Sequence, residues 1–337
     1  MVDLRIESYT AADNEAALRL EQQCSQGTSV AVRFRRPTFD ARSRVYRKYR
    51  ILCAKVDGEL VGIGAWAEKW VRLRGDSVRT AYLYDLRVHP AYRRQNVARR
   101  IVAAMLEDIG EGVDCTYALV AGENEGARAL CQRHLGMDFA IPLTYAVLPA
   151  YRKQVGAEGY RLAGASEVHR TYLELNGNVD FVPELEEESL LGYVTSVAVG
   201  ETAGGGCSIW TNEDLLAEEI VAIPRAYSIL RVLAAPLRLF WTLPHIPKPP
   251  ETVRSWFLFD LFARDEQSLR SLLATVNNLA LTHHRQFLYI VLPNVDPLLT
   301  WIRRARPSTF LLPYLFLARG RVLPAPQDRI YIDVRDV

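Results

Sequence analysis

Cysteine is sparse and scattered. Five residues, Cys24, Cys53, Cys115, Cys131 and Cys207, form no Cys-x-x-Cys pair. This excludes a disulfide framework and a thiolate zinc site and fits a reducing compartment. An excess of charge is also missing: 41 basic against 39 acidic residues leave a net +2, too little to hold a polyelectrolyte by bulk charge. No long apolar run exists. The most apolar stretch, Tyr227 to Ile246, is broken by Arg231, Pro236, Arg238 and Pro244, whereas a membrane span needs ~20 mostly apolar residues. No membrane partner is therefore expected. The first residues, Met-Val-Asp-Leu-Arg-Ile-Glu, lack the apolar core of a signal peptide, so the expected location is cytoplasmic. What remains is an ordinary globular composition, 49% hydrophobic and 24% charged. At ~100–200 residues per domain, 337 residues suggest about two domains.

The first half alternates strands and helices. Strands are expected at Leu4–Tyr9, Arg50–Val56, Leu60–Ala67 (running on toward Leu73), Thr80–Val88, Cys115–Ala121 and Phe139–Leu148. Asp57-Gly58 marks a two-residue hairpin. Helices are expected at Ala12–Cys24, Val97–Ile109 and Gly126–Leu135, from apolar residues at helical spacing. Residues 149–164 carry no periodicity and mark a boundary, giving domains 1–150 and 160–337. The second half repeats the order: a helix at Leu162–Leu175, strands at Tyr193–Glu201 and Ser208–Ile223 around Gly204-Gly205-Gly206, a Pro-rich excursion at Ile223–Pro250 containing a helix, a strand at Trp256–Ala263 and a helix at Gln267–Leu281. Then follow a strand at Phe287–Leu292, a short helix at Leu298–Arg304, and strands at Tyr314–Ala318 and Ile330–Val334. The fold class is α/β with a mixed α+β sheet, the second half being a divergent copy of the first.

The segment from Tyr82 to Arg100 carries the chemistry. It reads strand, short loop, helix, with Pro90 ending the strand. The first turn of such a helix offers unpartnered N–H groups and the positive end of a dipole, which suits an anion. Ala98 is small enough to let a ligand approach, and Arg93, Arg94, Arg99 and Arg100 add phosphate-pairing charge. Arg93-Arg94-Gln95-Asn96-Val97-Ala98 resembles the Arg/Gln-x-x-Gly-x-Gly/Ala loop of the GNAT superfamily of acetyl-CoA-dependent N-acetyltransferases. Asn96 stands where glycine is usual, and Asn is the other residue that tolerates positive φ. Glu123-Asn124-Glu125-Gly126-Ala127 resembles the family's Asn-x-x-Ala segment, and Leu135-Gly136-Met137 its closing turn. The second half also resembles the plant hookless-type N-acetyltransferases, at Ser208–Asn212 and Ile330–Arg335. That likeness implies a second, degenerate GNAT-like domain without a cofactor site. Its acidic helix start, Arg264-Asp265-Glu266-Gln267, would repel a pyrophosphate.

The resemblance implies a GNAT acyl-CoA N-acyltransferase fold and transfer of acetyl from acetyl-CoA to an amine by direct attack in a ternary complex, without a metal. It implies cofactor contacts from Leu86, Arg87, Val88, Arg93, Arg94, Gln95, Asn96, Val97, Ala98, Arg99 and Asn124. The Val88 N–H would stabilise the oxyanion. Asp85 is the first candidate base, on the argument that burial raises a carboxyl pKa. Its alternative is an Asp paired with an Arg. Glu123 is the second candidate, against a solvated helix-start acid. Cys131 occupies the place of the family's acidic Tyr, where a packed thiol is the plainer reading. Tyr84, Tyr117 and Tyr145 read as core. The acceptor is a small-molecule or peptide amine, and the chain a monomer or homodimer. A catalytically weak or inactive regulatory protein that still binds CoA is the alternative function.

Residues 33–50 carry eight basic residues against Asp40, with Phe34, Phe39, Tyr46 and Tyr49 between them. A solvated basic face is favoured over acceptor or nucleic-acid recognition, so nucleic acid is not an expected partner. Glu184-Leu185-Glu186-Glu187-Glu188 is its acidic counterpart. His283-His284 ends a helix without metal-ligand partners, and the triple glycine reads as a hairpin turn.

Overall fold

The chain enters through β1 (Leu4–Ser8), which pairs antiparallel with β3 (Lys48–Val56). Asp57 and Gly58, at φ 49° and 84°, then close a hairpin onto β4 (Glu59–Leu73). Positive φ at both central positions matches the twist of the flanking strands. A second hairpin leads to β5 (Asp76–Val88), which lies parallel to β6 (Cys115–Ala121). This computed structural model describes residues 4–27, 30–155, 160–177, 179–184, 194–199, 204–237, 242–325 and 329–337. The acidic run at 185–188 lies outside them.

The remaining long strands are β7 (Phe139–Pro149), β8 (Tyr160–Ala163), β9 (Val194–Val199), β10 (Gly205–Trp210), β13 (Ser255–Ala263), β14 (Phe287–Pro293) and β15 (Phe310–Gly320). With them one mixed sheet runs in the order β1-β3-β4-β5-β6-β15-β7-β14-β13-β10-β9-β8, and Val182–Pro183 pairs beside β4. The late strand β15 lies between β6 and β7, pairing antiparallel with both, while β7 pairs on its other side with β14. Each half thus contributes a strand to the other's part of the sheet. A small second sheet joins β2 (Ala31–Arg35), β11 (Ala217–Ala222) and β12 (Glu251–Val253).

The helices are α1 (Asn14–Gln22), α2 (Val97–Ile109), α3 (Glu125–Ala129), α4 (Ala165–Asn176), α5 (Arg225–Leu237), α6 (Glu266–Thr282) and α7 (Leu298–Ala305). α2 buries Val97, Ile101, Val102, Met105 and Ile109 against the first part of the sheet, and α6 buries Leu269, Leu272, Leu273 and Val276 against the second. A third apolar cluster on the opposite face belongs to both halves. It joins Phe39, Tyr82, Tyr117 and Phe316 to Tyr145, Phe257, Tyr289 and Tyr331. Tyr117 stacks between Tyr82 and Phe316 at 5.2 and 5.1 Å, pairs worth ~0.5–1.5 kcal/mol each beyond their burial.

Four expectations need correction. Ser208–Ile223 is two strands in two different sheets, because Asn212 turns the chain by accepting the Leu215 and Leu216 N–H groups at its carbonyl. Ile330–Val334 is a strand only at Arg329–Ile330, after which Asp333 caps a short turn. Residues 160–163 form a strand, so the helix expected from Leu162 starts at Ala165. Gly205 and Gly206 lie inside β10; a Cβ on Gly206 would stand 2.7 Å from the Phe262 ring.

Candidate functional site

β5 and β6 pair at only three positions, Thr80–Cys115, Ala81–Thr116 and Tyr82–Tyr117. β5 then continues to Val88 without β6. A bulge accompanies the divergence: Tyr84 faces Ala65 and Arg87 faces Ile63, so β5 has one residue more than β4 between these pairs, and Asp85 takes φ 52°. An extra residue bends a strand and raises its twist. Beyond it the His89 N–H donates to Val61 at 2.8 Å. Antiparallel alternation therefore turns the Val88 N–H away from β4, toward the gap. The Val88 carbonyl accepts from Arg93 Nε at 3.4 Å and lies 3.5 Å from the Cys24 thiol.

Arg94 and Asn96 sit at φ 63° and 62°, with Asn96 at the N-cap of α2. Alternating left-handed residues curl the backbone so that successive N–H groups converge. The N–H groups of Arg94 to Arg99 have no acceptor among the described residues, whereas that of Arg100 bonds back to Asn96. Arg93, Arg94 and Arg99 are exposed. The loop is held from behind by the Gln95 side chain, which donates to the Ala91 carbonyl at 2.8 Å. Unpaired amides, a dipole and unneutralised guanidinium groups together suit a pyrophosphate.

Asp85 departs from expectation. Burial pushes its carboxyl up, but the guanidinium groups of Arg36, Arg42 and Arg87 outweigh this and hold it well below the usual carboxylate range. Arg36 donates to it at 2.7 Å and also to the buried Glu21. A carboxylate fixed in this way is a poor proton acceptor, and its geometry is that of a paired Asp. Part of the run at residues 33–50 turns inward. Arg36 and Phe39 are buried, Arg42 reaches Asp85 at 3.5 Å, and Arg35 pairs with Glu219 at 2.6 Å. Arg35, Arg44, Arg47, Lys48 and Arg50 are exposed, so most of the basic residues do lie on a solvated face, as expected.

Glu123 lies exposed just past β6. Asn124 uses its side chain to accept the Ala127 N–H at 3.0 Å, opening α3. Cys131 is buried in a wide helical turn, and burial pushes its thiol up to about 11. Tyr84, Tyr117 and Tyr145 are buried.

Two features were not legible in the sequence. Lys69 is buried against Asp333 (3.0 Å) and Asp336 (2.6 Å), and Tyr117 donates to Asp336 at 2.6 Å, which anchors residues 333–336 over the face of β4 and β5. Glu218, on β11, accepts from the Tyr289 hydroxyl at 2.9 Å, and burial pushes its carboxyl up to about 7. Arg42 reaches both Asp85 and the backbone of Asp336. Tyr314 pairs with Ala121 at the end of β6.

The second half has a counterpart. β13 and β14 pair in parallel only from Ser255–Phe287 to Leu258–Ile290, and Asp260 sits in a bulge at φ 49°. There Tyr331 donates to Asp260 at 2.7 Å, with His169 Nδ1 at 3.0 Å. At the start of α6 the Asp265 carboxylate already accepts the Ser268 N–H.

The family model described as Acetyltransferase (GNAT) family matches residues 14–137, which hold both the divergent strands and the amide-lined loop. Solved structures extend the likeness to nearly the whole chain. The N-myristoyltransferase of Saccharomyces cerevisiae, solved with bound myristoyl-CoA, superposes with a TM-score of 0.62 at 10% identity over 95% of this chain and 84% of that one. A candidate acetyltransferase of Pyrococcus horikoshii gives 0.57 at 11% identity, over 99% and 95%. A candidate N-acyltransferase of Enterococcus faecalis gives 0.51 at 13% identity, over 95% and 73%. At these identities the likeness shows the fold: the chain has the GNAT-type N-acyltransferase fold. No curated protein sequence matches the chain.

Proposed function

We propose that this chain transfers acetyl from acetyl-CoA to an amine by direct attack in a ternary complex. The observation that carries the reading is the run of unpartnered N–H groups from Arg94 to Arg99, set beside the gap into which Val88 turns its own N–H. The loop fits a pyrophosphate, with Arg93, Arg94 and Arg99 as counter-charges. The gap admits an extended pantetheine arm along Leu86 to Val88, and the Val88 N–H would hold the developing oxyanion. Residues 1–150 would bind the cofactor. Residues 160–337 would shape the acceptor side as a degenerate copy, its gap taken up by Tyr331 and its helix start closed by Asp265.

The attacking amine must lose a proton. Glu218, a carboxyl held by Tyr289 and pushed up to about 7 by burial, is the group whose reach to the acceptor amine is to be tested. Asp85 then acts as a positioning residue that orders Arg36, Arg42 and Arg87. A second reading, CoA binding without catalysis, is favoured by the ion-paired Asp85 and the buried Cys131.

Calorimetric titration of acetyl-CoA into the parent and an Arg94→Glu variant tests the cofactor site, with myristoyl-CoA as competitor for acyl length. Saturable binding weakened by the substitution is expected. Absence of binding at millimolar ligand would sink the reading. Thiol release with a panel of small amines and peptides then separates catalysis from binding alone.

A further inference from the structure

α5 is amphipathic in the wrong direction. The side turned to the protein carries Tyr227, Ser228, Arg231 and Ala234, and Ala234 is its one buried residue. The outward side carries Ile229, Leu230, Val232 and Leu233, each 51–66% exposed, and Leu237 at 44%. A surface helix ordinarily lays its apolar stripe on the core. On the inner side of the helix Tyr227 meets Phe310 edge-on, with ring centroids 6.0 Å apart, and Phe310 and Leu312 at the start of β15 are each 43% exposed. A group of exposed apolar side chains of this kind on a folded chain marks a binding surface.

The charge around it says what would cover it. Residues 220–250 contain no Asp or Glu and four basic residues. Arg225 and Lys248 are exposed and form no ion pair among the described residues, and Arg231 donates to the Pro247 carbonyl at 3.4 Å. A second copy of the chain is a poor match, because a two-fold interface sets a patch against itself and would bring these cations together without an acid. An anionic lipid surface matches both features, apolar side chains for the acyl boundary and cations for the headgroups. At 1.5 Å per residue the 13 residues of α5 span about 20 Å, too short to cross a bilayer but ample to lie along one. No described helix is long and apolar enough to span a membrane.

We propose that α5, with Phe310 and Leu312, lies flat on an anionic phospholipid surface, its leucine-rich side in the headgroup–acyl boundary and Arg225 and Lys248 against lipid phosphates. A helix lying flat needs no spanning segment, so the breaks at Arg231, Pro236, Arg238 and Pro244 do not oppose it. The inference is independent of the acetyl-transfer reading.

Co-sedimentation of the full chain with vesicles of phosphatidylcholine alone, or with one-third phosphatidylglycerol, tests it. Partitioning onto the anionic vesicles should exceed that onto neutral ones by roughly tenfold and fall with added salt. A Leu230→Glu, Leu233→Glu variant should lose it while keeping the parent's melting temperature and acetyl-CoA titration. An Arg225→Ala, Lys248→Ala variant, which leaves the helix packing untouched, should lose the preference for anionic vesicles. The proposal is overturned by a parent that binds neither vesicle, or by leucine variants that bind as the parent does. It is equally overturned if light scattering shows a dimer that the leucine substitutions dissolve, since α5 would then meet a second copy.

Discussion

Asn96 holds a left-handed conformation at the N-cap of α2, within the run of unpartnered amides. Asn tolerates this through its short polar side chain, whereas a β-branched residue there costs about 1–2 kcal/mol. Asn96→Val should weaken acetyl-CoA binding by roughly tenfold in calorimetry, and Asn96→Gly should preserve it. Glu218 gives a prediction in pH. Its carboxyl rises from 4.5 to about 7 on folding, so the folded chain binds the proton more tightly than the unfolded one. That stabilisation is complete below pH ~4.5 and lost as pH rises through ~7. Glu218→Gln should match the parent at pH 5 and exceed its stability at pH 8 by on the order of 1–3 kcal/mol in denaturant titration. It should also remove an activity limb near pH 7 if Glu218 is the base. The two residues differ in legibility. Asn96 belongs to an uninterrupted strand–loop–helix segment, so its role follows from its neighbours. Glu218 acquires its character from burial among strands distant in the chain, against the opposing hydrogen bond from Tyr289, 71 residues away, and Asp85 from Arg36, 49 residues away. No local pattern predicts such partners, and for Asp85 they reverse the effect that burial alone would have.

α2 is the element whose placement matters most, since its first turn faces the gap. It lies close on β4 because Gly62 and Gly64 leave room. A Cβ on Gly62 would stand 2.8 Å from Ile101 and 2.9 Å from Val97, and one on Gly64 2.4 Å from Met105. Gly62→Val should force the helix outward, costing about 1–3 kcal/mol in thermal or chemical unfolding, and should weaken acetyl-CoA binding further because the amides of residues 94–99 move with it. Periodicity located α2 to the residue, as its apolar face repeats without interruption and Gly110 ends it. It failed for β2 and β11, short strands whose partners come from opposite halves of the chain. It also underestimated β15, where Tyr314–Ala318 expands to Phe310–Gly320 because strands flank it on both sides.

The whole molecule is organised around that exchange. β15 makes seven residue pairs with β6 and nine with β7. A fragment of residues 1–150 would leave both strands with an open edge in the middle of the sheet, a site for aggregation. Expressed alone it should be insoluble or associated by size-exclusion chromatography, and co-expression with residues 160–337 should recover a soluble complex. Composition suggests a boundary near residue 150 but gives no sign of the strand crossing, because element order along a chain does not specify neighbours in a sheet.

β15 is also synthesised more than 150 residues after β7, yet it belongs between β6 and β7. At ~5–20 residues per second, the ribosome finishes β6 and β7 well before their shared neighbour emerges. Until residues 310–320 arrive, the facing edges of β6 and β7 lack their partner strand. The first part of the sheet is therefore completed only once residues 310–320 are available, and not as β6 and β7 are made.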